Sequence, residues 1–132
     1  MKTSYAASAI IMDKDKILLI KRAKEPWKNH WATPGGKIEE KETPKKAVIR
    51  EVKEEVGLDF KVIKKLKQYT WNEKEFICNS TVFIGTFNGK VTINKNEVLK
   101  YIWISPKKAL KLKLASTNKQ RILDFIKQNE KN

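Results

Sequence analysis

The stretch Gly36–Leu58, GKIEEKETPKKAVIREVKEEVGL, decides how this chain is read. Thr43 followed by Pro44 has the form of a helix start. The hydroxyl caps a free N–H group, and the proline sits where its missing N–H costs nothing. Gly57 has the form of a helix stop, because glycine readily takes the left-handed conformation that ends helices. The spacing predicts a helix running to about Val56. Val48, Val52 and Val56, with Ala47 beside them, form the apolar stripe that packs it down. Glu51, Glu54 and Glu55 lie three and four residues apart and are expected to project together from one side.

Three like charges at that spacing repel one another and weaken an isolated helix. Lysines such as Lys46 and Lys53 can neutralise them, leaving a solvated acidic face. A divalent cation can do the same, leaving a binding site. The preceding Pro34-Gly35-Gly36 favours the second, since a glycine turn lets backbone approach another group closely. Hard cations such as magnesium take carboxylate oxygens, keep several waters and bridge to phosphates.

Outward from this segment, KILLIKR and TSYAASAIIM read as two strands around the polar turn DKD. AKEPWKNHWATPGG, rich in Pro, Gly and Trp, reads as loop plus a short strand. Downstream, FKVIKKLKQYTW alternates apolar and basic residues like a half-buried strand. FICNSTVFIGTF is a second strand, ended by Asn88-Gly89, and LKYIWIS is a third. SPKKAL opens a short helix. A terminal amphipathic helix starts at Thr117, with Gln120 at the capping-box position and Ile122, Leu123 and Ile126 on one face. No repeat or linker breaks residues 1–132, so one α/β domain is expected.

The composition bounds the function. The chain has 132 residues and a formal charge of +14, almost all from lysine, the arginines being Arg22, Arg50 and Arg121. The lysines are dispersed, which disfavours a dedicated nucleic-acid surface but still attracts anionic substrates such as nucleotides. Cys78 is the sole cysteine and reads as a small buried hydrophobe. Internal disulfides are excluded, and no apolar run spans a bilayer or forms a signal peptide. A cytoplasmic protein with no membrane partner is the expectation. His30, the only histidine, reads as a loop residue, which nearly excludes a histidine-dependent triad.

Gly36–Leu58 resembles the Nudix box of the Nudix hydrolases. Gly36, Glu42, Arg50, Glu51, Glu54, Glu55 and Gly57 fill its fixed positions, Val52 and Leu58 its bulky aliphatic ones, and WATPGG is similar to the usual approach to it. The resemblance implies a mixed β-sheet sandwiched between helices, an α/β/α arrangement, with the box as loop–helix–loop. It implies hydrolysis of a nucleoside diphosphate linked to another group. It also implies that Glu51, Glu54 and Glu55 are the ligands of magnesium, with manganese as substitute. Glu42 and Arg50 would form an ion pair bracing loop against helix, and Gly36 and Gly57 would permit the turns. Family members take their general base from the box or from a later loop, where Glu97 is the counterpart here.

The proline-bearing signatures of the ADP-ribose and NADH branches are missing, as is the segment that marks the coenzyme A branch. The compact nucleoside-triphosphate group remains, including enzymes acting on oxidised purine nucleotides. A base needs an aromatic wall, for which Trp27, Tyr69, Trp71 and Phe76 are the candidates; Trp31 reads as structural. Alternatives are a nucleotide-sugar pyrophosphatase, an RNA 5′-pyrophosphohydrolase and a nucleotide-sensing domain. Oligomeric state is left open.

Overall fold

The computed structural model describes residues 2–130. Seven strands make up the sheet: β1 (Lys2–Asp13), β2 (Lys16–Arg22), β3 (Trp31–Ala32), β4 (Gly35–Lys37), β5 (Asp59–Glu73), β6 (Phe76–Asn88) and β7 (Val98–Ile104). The helices are α1 (Pro44–Val56), α2 (Pro106–Ala109) and α3 (Asn118–Glu130). Strand β1 is the spine. From Lys2 to Ile11 it pairs in parallel with β6, and at Ala6–Ser8 it also pairs antiparallel with β4. Only Met12 and Asp13 pair with β2, so the expected hairpin is closed at its turn and splays beyond it. β2 goes on to pair with β3 and β7. The sheet is mixed, as expected.

The central strands are apolar on both sides, and that is what demands a cover on each face. Ala7, Ala9, Ile11, Leu18 and Ile20 point to one face and join Ala47, Val48, Val52 and Val56 of α1. Ile10, Ile17, Leu19, Val82 and Ile84 point to the other and join Ala109 of α2 with Ile122 and Phe125 of α3. Each such aliphatic side chain contributes roughly 1.5–3 kcal/mol on burial, and together these hold both helical layers to the sheet.

Helix α1 has the ends its sequence predicts. Thr43 Oγ1 accepts from Lys46 N at 3.1 Å, Pro44 stands in the first turn, and Gly57 at φ 71° donates to Lys53 O at 3.0 Å. Helix α3 departs from expectation in two ways. No capping box forms, because Gln120 Nε2 donates to Asp124 Oδ1 at 3.0 Å instead. Leu123 is 38% exposed, because at 100° per residue it lies off the stripe that Ile122, Phe125 and Ile126 share. Strand β5 breaks its alternation with irregularities at Val62/Lys64 and Lys65/Lys67. Among the described residues no helix is long and apolar enough to cross a membrane.

Candidate functional site

The acidic cluster is organised by one arginine. Arg50 Nε and Nη2 donate to the two oxygens of Glu42 at 2.8 and 2.9 Å, a fork-to-fork pair. Its Nη1 donates to Glu51 at 2.9 Å and to Glu54 at 3.3 Å, and Nη2 reaches Lys37 O at 3.0 Å. The arginine thus ties the loop before α1 to the helix face. Arg50 is pushed above its ordinary pKa, first by Glu42, and it holds the Glu42 carboxyl down at about 2.

The three box glutamates meet different surroundings. Glu54 stays open to solvent. Glu51 is mostly covered and leans on Gly36, where an added Cβ would stand 2.5 Å from its carboxyl carbon. Glu55 is buried at 6% exposure and accepts from Gly35 N at 2.7 Å. Burial raises the Glu55 carboxyl to about 8, the Gly35 N–H opposes the rise, and the negative charges of Glu51 and Glu97 add to it. Burial likewise raises Glu51. The expected convergence is therefore partial: Glu55 is buried, Glu51 is mostly covered, and Glu54 is open, with Glu51 and Glu54 sharing Arg50. Among the described residues no three acidic, histidine or cysteine side chains stand as a ready-made metal cage.

The 92–98 segment runs beside the end of α1, with Thr92 N donating to Val56 O and Asn94 N to Glu55 O. This brings Glu97 near the box, where it pairs with Lys24 Nζ at 3.4 Å.

Next to Gly35 and Gly36 opens a cleft of about 200 Å³. Trp27 and Trp71 form its aromatic walls, and Thr33, Ser80, Ser116, Asn118 and Arg121 its polar lining. Trp27 Nε1 donates to Glu73 Oε1 at 3.2 Å, which ties the 23–30 loop to the end of β5. A second recess shares Trp27, Glu73 and Cys78 with the cleft and adds Phe76.

Two sequence expectations need correction. Tyr69 is 6% exposed, packs beneath α3 and donates to Asp124 Oδ2 at 2.7 Å, so its ring is not a wall of the cleft. Cys78 is only partly buried and lines the cleft. His30 remains in its loop, edge-on to Trp27 at 5.1 Å, and Trp31 packs into the core under α3.

The sequence reading missed the cleft floor. Asn118 Oδ1 accepts from Thr33 N at 2.8 Å and from Thr33 Oγ1 at 3.0 Å, while Nδ2 donates to Ala115 O at 2.7 Å. Arg121 Nη1 reaches the same Thr33 hydroxyl at 3.0 Å. The available signal was Arg121 itself, a rare arginine four residues before Phe125 on the apolar stripe of α3.

With this geometry in hand, the comparisons agree with one another. The sequence profile described as NUDIX domain matches residues 2–125. The chain belongs to the Nudix family, a family generally dependent on divalent metals. It is 30% identical over 121 residues to the CTP pyrophosphohydrolase of Escherichia coli strain K12, covering 87% of this chain and 85% of that protein. It is 46% identical over 72 residues to the ADP-ribose pyrophosphatase of Methanocaldococcus jannaschii, covering 54% of this chain and 43% of that one. Three curated relatives that it matches over shorter segments are spanned over only 24%, 43% and 54% of their lengths. The fold superposes on the solution structure of the E. coli ORF135 protein with a TM-score of 0.89 at 25% identity, covering 100% of this chain and 94% of that one.

Proposed function

We propose that this chain is a metal-dependent pyrophosphohydrolase that cleaves a nucleoside triphosphate to its monophosphate and pyrophosphate. One stretch of backbone carries the reading. Gly35 and Gly36 line the aromatic cleft and at the same time contact Glu55 and Glu51. A base entering between Trp27 and Trp71 therefore leaves its phosphates beside the acidic helix.

The donor set fits a hard divalent cation: carboxylate oxygens that repel one another, with the buried Glu55 answered by one neutral N–H and Glu51 and Glu54 sharing Arg50. Glu51, Glu54 and Glu55 would hold magnesium, or manganese in its place. When bound, the ion neutralises phosphate charge and acidifies a water. The chain's own residues do the rest. Arg50 positions Glu51 and Glu54 through its pairing with Glu42. Glu54 or Glu97 takes a proton from the attacking water as its oxygen bonds to phosphorus. The bridging P–O bond breaks, and pyrophosphate leaves with the bonding pair. The lysine-rich surface draws the anionic substrate inward. The lone thiol suits a reducing cytoplasmic setting.

The CTP pyrophosphohydrolase relative, matched over most of both chains, supports a triphosphate; the ADP-ribose pyrophosphatase relative keeps nucleotide sugars as the alternative. The test is a panel of nucleoside triphosphates, oxidised dGTP, ADP-ribose and 5′-triphosphate RNA, assayed with magnesium and with manganese for released phosphate and pyrophosphate. Pyrophosphate from a triphosphate is the expected result, abolished by Glu54→Gln and Glu55→Gln. Unchanged turnover in both variants would sink the ligand assignment. Binding without hydrolysis across the panel would point to a sensing domain.

A further inference from the structure

The floor of the cleft holds a cation without a counter-ion. Arg121 is 5% exposed, and among the described residues it forms no ion pair. Its guanidinium carbon lies 5.7 Å from the ring centroids of both Tyr69 and Trp71. Nε donates to Thr117 Oγ1 at 3.0 Å, and Nη1 donates to Thr33 Oγ1 at 3.0 Å. A guanidinium carries about five N–H donors. The remainder have no protein acceptor among the described residues, and the side chain lines the cleft. Burial pulls its pKa down to about 10, so it stays charged at neutral pH. A buried charge is costly unless something pairs with it.

A second group repeats the imbalance. Ser116 also lines the cleft, stands in the left-handed region at φ 46°, and its Oγ is buried with no hydrogen-bond partner. The neighbouring acceptors are already used. Asn118 Oδ1 takes two bonds from Thr33, and the Thr33 hydroxyl takes one from Arg121. The floor thus leaves guanidinium donors of Arg121 unanswered, beside a Ser116 hydroxyl that is free to donate or accept.

We propose that Arg121, with Ser116 beside it, determines base specificity by reading a ring edge that bears two adjacent acceptors, as the O6 and N7 of guanine do. Adenine fails this test because its amino group sets a donor against a donor. A guanidinium fork matches neighbouring acceptors, whereas a single hydroxyl or amide does not. The ring rests between tryptophans that supply contact area without selecting among bases. This assignment rests on the reading of the cleft as a nucleotide site, but not on hydrolysis.

Calorimetric titration of the intact protein with dGMP, 7-deaza-dGMP and dAMP, without metal, tests it. Wild type should bind dGMP about 10-fold or more tighter than either analogue, since a good bidentate contact is worth that much. Arg121→Met keeps an apolar stem beneath the rings and should level the three affinities. Arg121→Lys, which keeps charge but loses the fork, should recover little of the preference. Equal binding of dGMP and 7-deaza-dGMP by wild type overturns the proposal with no variant needed. So does an Arg121 variant that weakens all three ligands alike, because that is what a purely structural arginine does. Absence of hydrolysis with the base preference intact removes the pyrophosphohydrolase reading and leaves this one standing.

Discussion

The cleft floor and the acidic rim beyond Gly35-Gly36 are built in opposite ways. At the rim, one arginine gathers carboxylates from a single helix and the loop just before it, with Glu42, Glu51 and Glu54 all within 3.3 Å of the Arg50 guanidinium. At the floor, Thr33 meets Asn118 across 85 residues and Arg121 across 88. The rim concentrates negative charge, and among the described residues its buried Glu55 has no ion pair. The floor holds a buried arginine that forms no ion pair among the described residues. Helical periodicity makes the first arrangement, and its like charges and buried carboxyl weigh against stability. Sheet register and the docking of α3 make the second, and the fold depends on its hydrogen bonds.

This contrast can be broken experimentally, the rim variants sacrificing activity and the floor variants sacrificing stability. The largest effect belongs to Glu54→Gln and Glu55→Gln, each expected to lower pyrophosphate release on the order of 10²–10⁴-fold. Glu55→Gln keeps an acceptor for Gly35 N–H and removes the penalty of a carboxyl that burial raises to about 8, so its thermal midpoint should hold or rise. A fall in that midpoint would show that the rim is structural after all. Next comes Asn118→Ala, which orphans the buried Thr33 N–H and should cost about 1–3 kcal/mol in denaturant unfolding. A neutral result would mean that the floor does not hold α3 to β3.

Smaller effects sharpen the account of the helix itself. Thr43→Ala should cost about 1 kcal/mol through loss of the cap on Lys46 N, visible in the same unfolding assay. Glu42→Gln should lower stability most at neutral pH and least in acid, where the ion pair is lost from wild type as well. The Glu42 carboxyl is held at about 2 by Arg50, below its ordinary 4.5. A depressed carboxylate contributes stability above its unfolded pKa and loses it as pH falls through the folded one. Acid unfolding of the variant should therefore be shallower than that of wild type between about pH 4.5 and pH 2. Parallel curves would remove the ion pair from the stability of the loop.

Much of this was legible in the chain, and the reasons are local. Helix α1 runs from Pro44 to Val56 because Thr43, Pro44 and Gly57 act on their immediate neighbours, within one turn. Strand β2 was readable because KILLIKR is apolar enough to need cover on both faces. The aromatic misreading has one cause. Tyr69 and Trp71 have the same strand period and the same aromatic chemistry. Only the packing of α3 puts Tyr69 against Asp124 and leaves Trp71 open to the cleft. Leu123 and Gln120 failed for local reasons: Leu123 lies off the helical stripe of Ile122, Phe125 and Ile126, and Gln120 bonds Asp124 one turn on instead of capping the helix.

The sequence by itself determined the acidic helix, its caps, its bracing arginine and the family to which the chain belongs. Each depends on residues close enough along the chain to interact through a single turn or loop. Only the tertiary structure decided that Glu55 is buried while Glu54 is open, that Glu97 comes beside the box, and that Arg121 lies unpaired beneath two aromatic rings. Burial and long-range pairing depend on which surfaces the strands bring together. The 3.6-residue period of a helix carries no information about that.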